Sequence, residues 1–193
     1  MDKLAGCTAL IGEISLEGTL EYNLEAAGDA LNKPISDLEV VVMDRPRHED
    51  LISKIQTMGA KVSLIGDGDI TAALDSADSS SSTDLLMGIG AAPEGVITAT
   101  ALRGLNAFFE GRLVTTNPDH KKRAIQMLGD KMEHIWKRDE LCSSKDSVYI
   151  GSGVCRGRVP GPTKNSDGSI VVTSEVIDVS TSTTRIEKMT FDV

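Results

Sequence analysis

Arg45, Arg47, Asp67, Asp69 and Glu94 are the residues whose type and spacing best suit chemistry. They fall in three short segments, MDRPRH at 43–48, IGDGDI at 65–70 and GIGAAPEGV at 88–96, each closing an apolar run. Guanidinium groups grip phosphate oxygens in pairs and keep their charge near neutral pH. Carboxylates accept hydrogen bonds from sugar hydroxyls or hold a divalent cation. A Gly-rich loop that enters a helix turns backbone N–H groups and the helix dipole toward an anion. Glu94 opposes such an anion unless a divalent cation lies between them. The order carboxylate, metal, phosphate is that of metal-assisted phosphoryl chemistry. Each residue also has a plain structural reading. Arg45 and Arg47 suit surface ion pairs, Asp69 suits a helix N-cap in an ordinary turn, and Glu94 suits a first-turn acid. His48 reads as a solvent-side helix residue rather than a base. What lifts the set is its placement at the carboxyl ends of neighbouring strands, where α/β proteins hold phosphates, metals and small substrates.

The elements that must position these residues follow from the apolar patterning. LEVVVM (38–43) is a short continuous apolar run, as in a strand covered on both faces, and KVSLI (61–65) and DLLMG (84–88) read as the next two strands. Between them lie helical stripes: Leu51, Ile52, Ile55 and Met58, with Asp44 as a cap and Gly59 as a stop, then Ile70, Ala73, Leu74 and Ala77. A third helix runs from Glu94 to about Leu105 with Val96, Ile97, Ala101 and Leu102 inward. Upstream, TALIG and EISLEG suggest one or two short strands, and Tyr22, Leu24, Ala27 and Leu31 a helix closed by Asn32 and Pro34. The alternation predicts an α/β fold: a parallel sheet with right-handed crossovers, helices on both faces and a β-rich C-terminal tail. FFEGRLV (108–114) suggests a further strand, and Asn117 and Pro118 open another helix. RGRVPGPTKNSDG (156–168) reads as an exposed loop, whose Arg156, Arg158 and Lys164 suit a solvated basic surface better than a phosphate contact. The terminal SIVVTSEVIDVSTSTTRIEKMTF suggests a hairpin.

Composition narrows the function classes. At 193 residues the chain reads as a single domain. A net charge of −9 and aromatics at only 3% argue against a nucleic-acid partner, which needs a basic face or stacking rings. A small-phosphate site remains compatible, because two or three local Arg dominate their own pocket. Cys7, Cys142 and Cys155 lack a CxxC spacing, so neither a disulfide framework nor a zinc site is expected. No apolar stretch reaches the roughly 20 residues of a membrane span. No membrane partner is expected, and a cytoplasmic address is the default, or a plastid in a photosynthetic eukaryote.

The segments VVVMDRPRHEDLI, LIGDGDITAAL and LMGIGAAPEGVITATAL, in that order and spacing, resemble the class II fructose-1,6-bisphosphatases, including the dual fructose/sedoheptulose bisphosphatases of photosynthetic bacteria. TLEYNLEAAGDALNKPISDL resembles that family's lead-in to the first segment. The resemblance is close over about residues 1–115 and looser over 116–193, where SVYIGSGVCRG and the β-rich terminus look like the family's tail. It implies hydrolysis of the 1-phosphate of fructose 1,6-bisphosphate, and of sedoheptulose 1,7-bisphosphate, in gluconeogenesis or the Calvin cycle, by a water activated on Mn²⁺ or Mg²⁺. It assigns Arg45, Pro46, Arg47, Asp67, Gly68, Asp69 and Ala91 to the substrate and Glu94 to the metal. Ala91 stands where many members have Gly. The acids that an N-terminal half supplies in that family have no counterpart before Arg45, so no residue is assigned as catalytic. On this reading the chain resembles only the C-terminal half of the family and is weakly active or inactive alone. Its partners are then a sugar bisphosphate and either a further copy in a homo-oligomer or the absent half. The alternatives are a non-catalytic sugar-phosphate-binding module and an assembly subunit.

Overall fold

Apolar side chains alternate along the strands of the larger sheet, and that alternation divides the core in two. The computed structural model describes residues 1–115 and 117–192. Strands β1 (Asp2–Gly6), β2 (Glu39–Met43), β3 (Lys61–Ile65), β4 (Leu85–Ile89), β5 (Phe108–Arg112) and β6 (Ile135–Lys137) form one sheet in the order β3-β2-β4-β1-β5-β6. Leu4, Val40, Val42, Leu85, Met87 and Phe108 point to one face and pack with Leu24 and Ala27 of α1 (Leu20–Leu31) and Ile55 of α2 (Glu49–Thr57). Ala5, Val41, Leu86 and Phe109 belong to the other cluster. There they meet Ala72–Leu74 of α3 (Asp69–Ser76) and Ala99, Ala101 and Leu102 of α4 (Ala92–Gly104). Burying each large aliphatic side chain contributes about 1.5–3 kcal/mol, so both faces are strongly specified.

The expected parallel sheet is corrected. Only β2, β3 and β4 run parallel to one another. β1 enters antiparallel between β4 and β5, and β5 pairs antiparallel with β6. An apolar run records burial, not direction, and both neighbours of β1 lie far along the chain. Its register sets Lys3 opposite Gly88, so the start of β1 stands beside the carboxyl end of β4.

Three local expectations also change. Neither TALIG nor EISLEG is a strand: the first forms a 3₁₀ turn at Thr8–Leu10 just after β1, and the second forms turns held by Glu110, whose Oε2 accepts from the Ser15 hydroxyl and the Leu16 N–H at 2.8 Å each. Asp44 does not cap α2: a 3₁₀ turn, Pro46–His48, intervenes and His48 takes the cap position. Val96 and Ile97 face outward, and Gly95, Thr98 and Ala99 are buried in their place beside the expected Ala101 and Leu102.

Beyond β5 come α5 (Pro118–Leu128) and the one-turn α6 (Arg138–Leu141). A smaller antiparallel sheet follows, β7 (Val148–Ser152), β8 (Thr163–Lys164), β9 (Ile170–Asp178) and β10 (Thr183–Phe191), in the order β10-β9-β7 with β8 also on β9. Fully buried Ile177 of β9 joins the cluster beneath α4 and fastens this sheet to the larger one.

Candidate functional site

Strands β2, β3 and β4 release the chain at one edge, at Met43, Ile65 and Ile89. Pro46 opens the turn after β2 and aims its two flanking arginines at different neighbours. Arg45 donates to the carbonyl of Gly66 beyond β3 (2.6 Å) and to that of Asp44 (2.7 Å). Arg47 reaches the other way, donating Nε and Nη2 to the carbonyl of Ile89 at the end of β4 (3.0 and 2.7 Å). The guanidinium groups of half-buried Arg45 and exposed Arg47 thus each spend two N–H groups on carbonyls and keep others for solvent or a ligand.

His48 departs from expectation. It is buried, and its ring bridges two strand ends: Nδ1–H donates to the Met43 carbonyl (2.7 Å) and Nε2 accepts from the Ile89 N–H (2.8 Å). The 3₁₀ turn, rather than an α-helical one, rotates it inward. Gly88 is its necessary counterpart. Its φ of +128° suits glycine, and a Cβ there would stand 3.0 Å from His48 Nε2.

Between β3 and α3 the chain turns at Gly68, which has φ +89° and occupies the N-cap. Asp67 Oδ1 accepts from the Gly68 N–H at 2.8 Å, and the Asp67 side chain stays in solvent. Asp69 is therefore not the cap. Its carboxylate turns inward, nine-tenths buried, onto Lys3 Nζ at 2.5 Å. Glu94, in the first turn of α4, accepts from the Ala91 N–H at 3.2 Å and lies 3.9 Å from the same ammonium. Gly90 separates the two acids so closely that a Cβ there would press on Asp69 Oδ2 and stand 2.9 Å from Lys3 Nζ.

Lys3 is the participant that the sequence concealed. It arrives through the antiparallel pairing of β1 with β4, and its side chain is 1% exposed. The one local hint is a lysine heading an otherwise buried strand.

The expected residues thus share one sheet edge, but only Asp67, Gly68 and Ala91 line an opening there, and they divide between two. Asp67 and Gly68 line a cleft of about 380 Å³ with Ser63, Thr71, Cys155 and Arg156. Ala91 lines an apolar groove of about 850 Å³ between the start of α4 and α5, with Gly90, Pro93, Leu113 and Met127. The basic loop is also revised at one position. Arg158 is a half-buried clamp, bound through Nε and Nη2 to Glu175 (2.7 and 2.8 Å) and through Nη1 to Asp75 (2.9 Å) and Asp78 (3.3 Å). The Glu175 bonds above all hold its guanidinium pKa above the ordinary value.

These features define a mixed α/β protein with arginines and carboxylates gathered at the carboxyl ends of three parallel strands. The chain belongs to the bacterial, glpX-encoded fructose-1,6-bisphosphatase family, whose model matches residues 1–191. A D-fructose 1,6-bisphosphatase class 2/sedoheptulose 1,7-bisphosphatase of Synechococcus sp. (strain JA-3-3Ab) is 41% identical over 169 residues, 81% of this chain and 49% of that protein. A relative of the same description from Prochlorococcus marinus (strain MIT 9312) is 38% identical over 198 residues, 96% of this chain and 60% of that protein. The match corrects the expectation of a resemblance to a C-terminal part only, firm as far as residue 115, because it extends through nearly the whole chain. The chain spans about half to three-fifths of the length of these relatives.

Family membership points to a metal-dependent phosphatase class, but the donors described here do not fit a divalent ion by themselves. Among the described residues no group of three or more His, Cys, Asp or Glu could hold a metal. Glu94 offers one carboxylate, already bonded to Ala91, while the Lys3 ammonium neutralises Asp69 and repels a second cation. No helix among the described residues is long and apolar enough to cross a membrane.

Proposed function

We propose that this chain binds a sugar bisphosphate, fructose 1,6-bisphosphate or sedoheptulose 1,7-bisphosphate, at the carboxyl ends of β2, β3 and β4. It serves the phosphoric monoester hydrolysis that the names of its relatives describe. The observation that carries this is the tie between the three strand ends. Arg45 spans to Gly66, and Arg47 and His48 both anchor on Ile89, so arginines and carboxylates share one stiff edge. Arg45 and Arg47 present their remaining N–H groups to a phosphate, Asp67 and Asp69 accept from sugar hydroxyls, Gly68 lets the backbone approach, and Ala91 borders the ligand. Pro46 acts by fixing the turn.

Hydrolysis by the chain alone is slow or absent, because the carboxylates among the described residues do not assemble a metal centre. That observation favours the second reading, a module that binds the sugar phosphate without cleaving it.

Calorimetric titration of the chain with fructose 1,6-bisphosphate tests the proposal. Saturable one-to-one binding that weakens at least tenfold in Arg47→Ala, with phosphate release at or near background, is expected. No binding, or binding indifferent to Arg45→Ala and Arg47→Ala, would overturn it. Turnover that vanishes in Glu94→Gln would overturn the claim that the chain alone is inert.

A further inference from the structure

We propose that Lys3 is the positioning residue of this site: its buried ammonium holds the Asp69 carboxylate in the one orientation that meets the sugar. The inference rests on the sugar-phosphate reading above and extends it to a residue outside the three motifs.

A lysine with a side chain 1% exposed has lost its hydration, and such burial is tolerated only with a partner. The partner is Asp69, whose Oδ2 lies 2.5 Å from Nζ and which is itself buried. Glu94 Oε2, at 3.9 Å, is the next nearest acid and is half exposed. The ammonium therefore pins one carboxylate and only borders the other.

Several features converge on that arrangement. Asp69 opens α3, where the left-handed Gly68 directs its side chain back toward the sheet. Gly90 leaves no room for a side chain that would wedge the pair apart. β1 fixes the lysine backbone against Gly88, the residue that packs on His48. Asp69 Oδ2 is thus committed to Lys3, and Oδ1 is left to accept from a ligand hydroxyl. The hydrogen bonds of Arg45 and Arg47 go instead to backbone carbonyls, of Asp44 and Gly66 for the first and of Ile89 for the second. Phosphate recognition and sugar recognition are consequently held by separate devices.

The separation makes the test selective. In the full chain, affinities for fructose 1,6-bisphosphate and for inorganic phosphate are measured for wild type, Lys3→Met, Asp69→Asn and the double variant. Loss of one charge-assisted hydrogen bond predicts that each single variant weakens the sugar ligand roughly ten- to hundredfold. The double variant weakens it no further, and inorganic phosphate binding changes less than about threefold throughout.

The inference is overturned if Lys3→Met binds the sugar ligand like wild type. It is equally overturned if inorganic phosphate is lost in parallel, which marks general damage, or if the two losses multiply. Should Lys3→Met not fold, Asp69→Glu carries the same comparison, since it keeps the pair but moves the carboxylate by one methylene. Failure of the wild type to bind the sugar ligand refutes the function reading, and this inference with it, before any substitution is compared.

Discussion

Replacing His48 with leucine removes the ring that joins β2 to β4 without opening a large void. Two backbone groups lose their partner, the Met43 carbonyl and the Ile89 N–H, now bonded at 2.7 and 2.8 Å. Each bond contributes about 1 kcal/mol net, and a buried backbone group left unpaired costs about 1–3 kcal/mol. Leucine's apolar burial offsets part of the loss, which leaves about 3 kcal/mol of destabilisation. For a domain of this size that corresponds to roughly 6–12 °C in Tm. Urea unfolding followed by circular dichroism reads the free energy, and calorimetry the Tm. A second effect follows, because the Ile89 carbonyl is also the anchor of Arg47. Phosphate affinity should fall even though His48 contacts no ligand. His48→Gln, whose amide carries a donor and an acceptor but at one end of a flexible chain, should recover part of both losses. A loss below about 1 kcal/mol, with phosphate affinity intact, would show that the ring is not the tie between these strand ends.

Other expectations follow from separate parts of the molecule. Arg158→Met strands the buried Glu175 carboxylate and should cost about 3 kcal/mol in urea unfolding, with partial recovery when Glu175→Gln is added. Gly90→Ala drives a methyl group into the Lys3–Asp69 pair and should cost about 1–3 kcal/mol, with weakened fructose 1,6-bisphosphate binding. Asp78 and Asp178 both titrate below the ordinary aspartate value of 3.8, chiefly because the Ser80 and Ser180 hydroxyls donate to them. Their stabilisation is fully present above that value and is lost as pH falls through the lowered native pKa. NMR titration of Ser80→Ala and Ser180→Ala should find both midpoints raised toward the ordinary value, the backbone N–H bonds keeping part of the shift, and unchanged midpoints would refute the assignment.

What the sequence disclosed here was local. β2 and β4 appear as apolar runs because their side chains are buried toward both faces, whereas β3 is a partly exposed edge strand, and the three motifs sit at strand ends because a strand must give way to polar residues when it leaves the core. What it withheld was long-range or rotational. Nothing in the residues around Lys3 says that β1 pairs antiparallel with β4, so neither the sheet's direction nor the lysine's meeting with Asp69 could be anticipated. His48 follows a proline and precedes a helical stripe, where an α-helical count turns it to solvent, but the 3₁₀ turn carries it inward. Arg158 lies in a stretch with the composition of an exposed loop, and its acidic partners sit on α3 (Asp75), just beyond it (Asp78) and on β9 (Glu175), 80 or more residues upstream and 17 downstream.

The most direct measurement of the central claim is heteronuclear NMR of the labelled chain titrated with fructose 1,6-bisphosphate. Perturbations are predicted at the backbone amides of Arg45 to His48, Gly66 to Asp69 and Gly90 to Glu94, and at the guanidinium signals of Arg45 and Arg47. Perturbations confined to the smaller sheet or to α5, with these three segments unmoved, would contradict a sugar-phosphate site at the ends of β2, β3 and β4.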